Sequence, residues 1–338
     1  MVLYIYSNVI GSFVFNTGLR IIDQTLFDEE DTVNNAINLN NNEWLEEEKA
    51  LIKKHGHKII YLGKKKTELI ETSKDNRFEL VNERISEIPN FYQLMRKAGI
   101  IIAKHKIKNS VKQDTLVIQA INNIDELDRV ANTLVKRLRE WYKLYLPEFS
   151  KKVRDNEKFV ELILKNKKSE LLKEINISSK KSMGANLAEA DTKPIEELAK
   201  RITSLYDLRE SQSQYLELII KKTYPNMYAI TGSQIGAKLI SFAGSFEKLA
   251  KFPASTIQLL GAEEALFRHL KTGAKSPKYG ILHEHPLVTQ ARASEREKVA
   301  RALGDKISIA VKVDFFNGKF IGEKLRNYLE KKFIKKKK

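Results

Sequence analysis

Apolar residues in the middle of the chain recur at alternating steps of four and three. Nine positions between Val117 and Tyr145 follow this spacing, and Asp128 is the only polar residue among them. A repeat of this length predicts a long helix whose apolar stripe packs against a second helix. We call the nine positions the first seam: Val117, Ile121, Ile124, Asp128, Ala131, Val135, Leu138, Tyr142 and Tyr145.

A second seam follows further along the chain. It starts after Pro194, whose ring suits the first turn of a helix, and it stops before Pro225. Arg209 interrupts its apolar positions, as Asp128 interrupts the first seam, and the two polar residues are candidates to face each other and set the register. The second seam comprises Ile195, Leu198, Ile202, Leu205, Arg209, Gln212, Leu216 and Ile219.

The region between the seams decides their topology. Pro147 breaks or kinks the first helix, helical patterning resumes at once, and residues 176–192 form the only long polar connector. Two long helices joined in this way predict an antiparallel coiled-coil hairpin. Because a few long helices bury little surface alone, we expect the hairpin to pair partly with a second copy. A helical bundle packed wholly within one chain is the alternative.

The first third of the chain has mixed α/β patterning. Val2–Tyr6 and Phe13–Phe15 flank a turn-rich centre and predict a β-hairpin, and no basic residue precedes Arg20, which argues against a targeting segment. Residues 43–54 read as an acidic-to-basic helix, and "KIIYLG" reads as a short strand. The stretch "RFELVNERISEIPNFYQLMRKAGIIIAKHKIK" suggests strands and a helix.

Glycines punctuate the last third into short helical pieces. Gly261 and Gly273 are placed to end helices. "SEREKVARAL" predicts a helix that begins with a capping box of Ser294 and Glu297 and closes at Gly304. "KISIAVKVDFF" leaves helix and strand open.

Charge is concentrated in this last third. The chain has a formal net charge of +17, and residues 236–338 hold 22 basic and 10 acidic residues against 17 and 16 in residues 1–115. Such an excess points to a polyanionic partner, either nucleic acid or a membrane surface. The sequence has no cysteine, which excludes disulfides and thiol chemistry and fits a reducing cytoplasm. No apolar run approaches the ~18 residues that span a membrane.

The patterns that could support catalysis are weak. "HEH" at His283–His285 offers two ligands, but catalytic zinc needs three, and His269 is the only nearby third histidine. No glycine-rich lysine loop for nucleotides occurs anywhere in the sequence. We therefore expect neither an enzyme nor a bound cofactor. A basic coiled-coil protein that coats nucleic acid or acidic membrane without sequence choice is an open alternative.

Three stretches, in order along the chain, carry a family resemblance. "LYIYSNVIGSFVFN", "REWYKLYLPEFSKKVRDNEKFVELI" and "GSQIGAKLISFAGSFEKLAKFPASTIQLLGAEEALFRHLKTGAKSPKYGILHEHPLV" resemble the start, the coiled-coil entry and the Nop-domain signature of the Nop family. The compact length and the short acid-and-lysine tail are most similar to the archaeal scaffold proteins of box C/D small ribonucleoproteins.

The resemblance implies a non-catalytic scaffold of three parts, with a multidomain α+β fold. A small α/β domain (1–115) binds fibrillarin, a methyltransferase that uses S-adenosylmethionine. A coiled-coil arm (116–235) forms a homodimer. An all-α Nop domain (236–330), followed by a basic tail (331–338), grips kink-turn guide RNA together with a small ribosomal-protein-like partner. The assembly would direct methylation of a target ribose 2′-OH.

The same resemblance places RNA against the segment Pro253–Lys271 and its surroundings. Acids in a first turn and bases in a last turn also suit the dipole of any helix, so the charges alone leave this open. Glu264 departs from the family, whose members usually carry lysine there, and this puts a strong contact with a duplex end in doubt. The expected RNA-binding residues are Lys248, Lys251, Ser255, Gly261, Ala262, Glu263, Glu264, Arg268, His269, Lys271, Lys275, Lys278, Arg296, Lys298 and Arg301.

Overall fold

The computed structural model describes residues 2–56, 58–66, 69–73, 77–178 and 181–333. The chain divides into two compact units, Met1–Val111 and Lys112–Lys338. The boundary lies four residues before the end of the predicted first domain. Most of the predicted basic tail, residues 334–338, lies outside the described residues.

A five-stranded sheet forms the centre of the first unit. Its strand order is β3-β2-β1-β4-β5, in which β1, β2 and β3 pair antiparallel and β4 runs parallel to both β1 and β5. The predicted hairpin and the predicted strand at "KIIYLG" are confirmed, whereas the third and fifth strands were not foreseen. The strands are β1 Val2–Asn8, β2 Gly11–Phe15, β3 Ile21–Leu26, β4 Lys58–Leu62 and β5 Glu71–Ser73.

Four helices accompany this sheet: α1 Thr32–Asn40, α2 Glu46–His55, α3 Phe78–Ser86 and α4 Phe91–Ser110. The acidic-to-basic helix is confirmed as α2. The expectation of strands after residue 77 is wrong, because both described elements there are helices, separated at Asn90 with a φ of 62°. The isoleucine run that suggested a strand lies on α4, where only Ala98 is buried.

Two long antiparallel helices, α5 (Gln113–Tyr145) and α9 (Glu189–Thr223), open the second unit. Burial confirms the first seam: seven of its nine positions are buried, and Asp128 and Tyr145 are half-buried. Burial on α9 is less regular, because Ala199 and Ile220, one residue beyond second-seam positions, are buried as well. Helix α9 begins five residues before Pro194, so the polar connector is shorter than predicted.

Three short helices, α6 (Pro147–Lys152), α7 (Asn156–Lys165) and α8 (Lys168–Glu174), join the two long ones. Helix α5 ends just before Pro147, as predicted. Aromatic residues of α5, α6 and α7 pack together at this end of the hairpin, where the rings of Phe149 and Phe159 stack 5.4 Å apart. The hairpin therefore has its own apolar core at its distal end.

Among the described residues, the second unit continues with a 3-10 helix, Ile281–Glu284, and with seven further α-helices: α10 Pro225–Ala243, α11 Phe246–Lys251, α12 Ala254–Leu259, α13 Glu263–Thr272, α14 Pro286–Thr289, α15 Arg296–Phe315 and α16 Gly322–Phe333. "KISIAVKVDFF" is helical and lies within α15. Gly261 and Gly273 end their helices with φ of 84° and 68°, as predicted.

Two expectations about α15 are wrong. The helix begins at Arg296, beyond Ser294, so the predicted capping box does not form. Gly304 does not end the helix but lies inside it, where a Cβ atom would come within 2.9 Å of the Ala254 carbonyl oxygen. The glycine therefore permits close packing of α15 against α12.

The base of the hairpin and the C-terminal helices share one hydrophobic core. Val117 of α5, Leu216 of α9 and Leu303 of α15 are fully buried members of it. The predicted boundary at 235/236 falls inside α10, a helix kinked at Gly232. The separation of arm and Nop domain thus stays a prediction. No helix of the described residues is long and apolar enough to cross a membrane.

Candidate nucleic-acid interface

Helices α12, α15 and α16 enclose a cavity of about 580 Å³ on the surface of the second unit. Three predicted RNA-binding residues, Ser255, Lys298 and Arg301, lie along it, although α12 and α15 are far apart in sequence. We call this cavity the basic groove. Its lining residues are Ala254, Ser255, Gln258, Lys298, Arg301, Ala302, Asp305, Lys306, Tyr328 and Lys332.

Helix packing determines the shape of the groove. Helices α12 and α15 approach each other closely at Gly304, and Gln258 Nε2 on α12 donates a 2.6 Å hydrogen bond to the carbonyl of Lys278, in the loop after α13. Lys298 and Arg301 are three residues apart on α15, so they share one helix face. The helices therefore fix the backbone of the groove, where Lys298, Arg301 and Lys332 are exposed and Lys306 is half-buried.

The groove carries an excess of positive charge. Four of its lining residues are basic, and Asp305, which pairs with Lys306 at 2.9 Å, is the only acidic one. Arg301 has a loose contact of 3.7 Å with Glu297, and Lys298 has no ion-pair partner among the described residues. Exposed cations with weak partners are available to neutralise phosphates.

Helix α13 contains five of the other twelve predicted residues, and it buries none of its side chains. Arg268 and Lys271 are exposed, as are the acids Glu263 and Glu264. Although both residues are described, no ion pair joins Glu264 to Arg268. The basic end of α13 is thus accessible to a partner.

Packing within the chain explains why the turn between α12 and α13 contains a glycine. Gly261 has a positive φ, and a Cβ atom there would lie 3.0 Å from the ring of Phe242. Its N–H donates to Glu263 Oε1 at 2.8 Å. Ala262 precedes α13 and is half-buried. These contacts explain a small residue at position 261 by packing within the chain, whereas its approach to a base pair stays a prediction.

Two predicted residues are already bonded within the chain. The Nδ1 atom of His269 bonds to the carbonyl of Ala274, and Arg296 donates from Nε to the Ala291 carbonyl at 3.2 Å. Both side chains stabilise loops, so any contact they make with RNA competes with these bonds.

The remaining predicted lysines lie on the surface outside the groove. Lys251 pairs with Glu247 at 2.6 Å, and Lys278 pairs with Glu297 at 3.0 Å. Lys248 and Lys275 are exposed. The structure thus brings three of the predicted residues into one groove and distributes the others around it.

The two histidines of "HEH" are not directed toward a common site. His283 is exposed, whereas His285 is buried and precedes α14. The Nδ1 atom of His285 accepts a hydrogen bond from the Leu287 N–H, and its Nε2 atom donates to the Ile230 carbonyl at 2.9 Å. Burial lowers the pKa of His285, which favours the neutral ring. Among the described residues, no group of His, Asp and Glu is arranged to hold a metal ion.

Three groove residues, Lys306, Tyr328 and Lys332, were missed by sequence reasoning. Lys306 is on the same helix as Lys298 and Arg301, and helical spacing could have suggested it. Tyr328 and Lys332 lie on α16, and only the packing of α16 beside α15 brings them to the groove. No sequence signal predicts that contact.

Comparison with known families places two matches along the chain. Residues 123–335 match the Nop family, described as "snoRNA binding domain, fibrillarin". Residues 2–78 match the family described as "Archaeal Nop5/56-rel, N-terminal domain". The first match includes the basic groove and nearly all of the second unit.

Individual relatives agree with these matches. An uncharacterized NOP5 family protein of Methanocaldococcus jannaschii is 37% identical over 280 residues, which cover 78% of this chain and 67% of the relative. Nucleolar protein 56 of Mus musculus is 37% identical over 256 residues, 69% of this chain and 44% of the relative. Nucleolar protein 58 of Candida albicans is 39% identical over 231 residues, which cover 64% of this chain and 45% of the relative.

The matched regions of these two nucleolar relatives make up less than half of each protein. Among solved structures, a chain of the fibrillarin/Nop5p complex aligns with 95% of this chain and 98% of its own length, at 20% identity and a TM-score of 0.42.

Proposed function

The chain belongs to the Nop family, and on that premise we propose that it is a non-catalytic scaffold of a box C/D ribonucleoprotein. In this proposal it joins fibrillarin to a kink-turn guide RNA and to a small ribosomal-protein-like partner. Fibrillarin transfers the methyl group, and this chain positions the guide RNA for 2′-O-methylation of the target.

The basic groove is the observation that supports RNA binding most directly. It lies within the part of the chain that matches a snoRNA-binding family, and three of its four cations are exposed. Proteins hold RNA backbones mainly through lysine and arginine contacts with phosphate, which fix position rather than sequence. Selection of a kink-turn would then come from RNA shape and from the small partner.

The first unit is the proposed fibrillarin-binding part. It matches the archaeal Nop5/56-related N-terminal domain over residues 2–78. Residues 1–115 carry 17 basic and 16 acidic residues, so this part lacks the charge excess expected of an RNA surface. Protein binding is the more suitable role for it.

The hairpin of α5 and α9 is the proposed dimerisation arm. Its outer surface keeps several apolar side chains exposed, including Leu144 at 61% and Leu218 at 70%. Exposed apolar side chains along a coiled coil favour pairing with another helix surface. We propose that the partner is a second copy of this chain.

Reconstituted methyl transfer tests the scaffold role. The complete mixture holds this protein, guide RNA, fibrillarin, the small partner and S-adenosylmethionine, and omission of single components should abolish guided methylation of a target RNA. The protein and guide RNA without fibrillarin should transfer no methyl group. Turnover of S-adenosylmethionine in that mixture would refute the proposal, as would full guided methylation without this protein.

A further inference from the structure

Tyr328 is an aromatic residue at the mouth of a cationic groove. It lies on α16 with 47% of its surface exposed, and it lines the basic groove. The ammonium of Lys306 is 4.9 Å from the centroid of its ring and that of Lys332 is 5.4 Å away. Lys332 Nζ also donates to the Tyr328 hydroxyl at 3.3 Å. Two lysine ammonium groups thus lie close to one partly exposed ring.

We propose that Tyr328 stacks on a single unpaired RNA base, while Lys298 and Arg301 hold the phosphates on either side of it. This inference rests on the proposed RNA-binding function and adds the class of RNA element that enters the groove. The element is an unpaired nucleotide, such as a bulged or terminal one, rather than a continuous duplex.

The combination of ring and cations is what favours an unpaired nucleotide. Single-stranded nucleic acid is held by a positively charged groove that follows the backbone and by aromatic side chains that stack on bases. In a duplex the faces of the bases are already stacked, so an exposed tyrosine has nothing to contact there. A volume of about 580 Å³ is within the range of roughly 300–1,000 Å³ of small-ligand pockets.

The lysines near the ring do not prevent this contact. The contact of the exposed Lys332 with the ring is weak, and lysine has a flexible four-carbon stem that can turn toward a phosphate. The carboxylate of Asp305 would repel a bound phosphate, but its charge is already paired with that of Lys306. The groove keeps three net positive charges, so entry of a nucleotide replaces a weak ring contact with stacking and phosphate neutralisation.

The test compares two RNA probes with the full-length protein: an oligouridine and a blunt duplex of equal phosphate number. Tyr328→Ala should weaken oligouridine binding by about 5- to 150-fold, the range expected for one stacked base. Binding of the duplex should change less than twofold. Tyr328→Phe should retain oligouridine binding, because the ring is kept.

Matched controls separate stacking from general effects. Tyr215→Ala removes a tyrosine of similar exposure (44%) on α9 and should leave oligouridine binding unchanged. Lys298→Gln should lower the salt dependence of binding for both probes, whereas Lys319→Gln, in the exposed loop between α15 and α16, should lower it for neither. The melting temperature of each variant confirms that it is folded.

The outcomes distinguish this inference from the proposed function. If Tyr328→Ala lowers the affinity for both probes equally, or lowers it for neither, the stacking role would be overturned. Failure of the scaffold role would appear elsewhere, as a wild-type protein that does not prefer kink-turn RNA when the small partner is present. If the protein prefers kink-turn RNA but Tyr328→Ala leaves oligouridine binding unchanged, the proposed function would stand and the stacking role would be wrong.

Discussion

Arg209 on α9 donates a hydrogen bond from Nη1 to Asp128 Oδ1 on α5 at 3.0 Å. Its Nη2 atom lies 2.6 Å from Glu157 Oε1 on α7. Burial and these two carboxylates act in opposite directions on the guanidinium, and the net result is a raised pKa of Arg209. The polar interruptions of the two seams therefore pair within one chain, between the two hydrophobic cores of the second unit.

The first prediction concerns the strength of this pair. A double-mutant cycle with Asp128→Ala and Arg209→Ala should give a coupling free energy of only ~0.2–1 kcal/mol, because both side chains are partly exposed to solvent. Urea unfolding of the four proteins measures it. The exposed pair Glu126–Arg129 on α5 is the control cycle. A coupling above ~3 kcal/mol would mean that the pair is far better shielded than the structure shows.

The heptad pattern made Asp128 and Arg209 candidates for this contact, because a coiled coil is regular. Steps of four and three place seam residues on one helix face, and burial of Val117, Leu138 and Ile202 follows from that geometry. The offset between α5 and α9 could not be predicted, because it depends on the connector and on packing of the short helices at the distal end. Only the folded structure, in which Asp128 and Arg209 pair, shows the register between α5 and α9.

A second prediction concerns Arg139, which fastens the distal end of the hairpin. Its guanidinium lies 4.1 Å from the ring of Phe159, and burial lowers its pKa. Arg139→Met should destabilise the protein by ~2–4 kcal/mol, because several carbonyls lose a charged donor at once. The acceptors are Asn156 Oδ1 and the carbonyl oxygens of Ser150, Val153, Arg154 and Asp155, at 2.8–3.1 Å.

Hydrogen exchange checks where this loss occurs. In Arg139→Met, amides of residues 150–160 should exchange faster, while those of the C-terminal helices should change little. Arg137→Met, on the exposed face of the same helix, is the control and should have no local effect. Unchanged exchange around residue 153 in Arg139→Met would contradict the clamping role.

A third prediction follows from the neutral ring of His285. Burial lowers its folded pKa below the usual value of about 6.5, so below that pH the unfolded chain takes up a proton that the folded chain resists. The contribution of His285 is therefore fully present above about pH 6.5 and is lost as the pH falls. Protonation would also remove the Nδ1 acceptor that caps α14.

Urea unfolding between pH 8 and pH 5 measures this effect. His285→Asn should lower stability at pH 8, because the Ile230 carbonyl loses its donor, but it should flatten the fall toward pH 5. His283→Asn, at an exposed position two residues earlier, should retain the wild-type profile. The interpretation would be wrong if His285→Asn and the wild type lost stability in parallel.

Some residues of the candidate interface could be predicted from the sequence, and others could not. Charge density and the family resemblance identified Lys298, Arg301 and Ser255, because each is recognisable locally as basic or as part of a matched stretch. Tyr328 and Lys332 belong to a helix whose own sequence gives no hint of its neighbours. Arg296 and His269 looked available in the sequence, but bonds to backbone carbonyls occupy them in the fold.

A fourth prediction concerns the charge of α13. If its basic end contacts RNA backbone, Arg268→Ala should weaken binding of all kink-turn RNAs alike and lower the slope of log affinity against log salt by about 0.7–0.9. Glu264→Lys should tighten binding at low salt, with a gain that fades as salt rises. Glu323→Lys, the same charge change in the first turn of α16, is the control.

Fluorescence titration of a labelled kink-turn RNA gives both quantities. Because no ion pair joins Glu264 to Arg268 within the described structure, a change in salt slope reports contact with RNA rather than the loss of an internal bridge. Affinities of Arg268→Ala and Glu264→Lys that equal the wild type at every salt concentration would show that α13 does not touch RNA.

The most direct test of the scaffold account is the choice between two RNAs. The wild-type protein and the small kink-turn-binding partner are titrated with a kink-turn guide RNA and with a scrambled RNA of the same length, from low to physiological salt. The account predicts tighter binding of the kink-turn RNA throughout, with a preference that persists as salt weakens both complexes. Equal affinity for the two RNAs at every salt concentration would contradict it and would favour a basic protein that coats nucleic acid without choice.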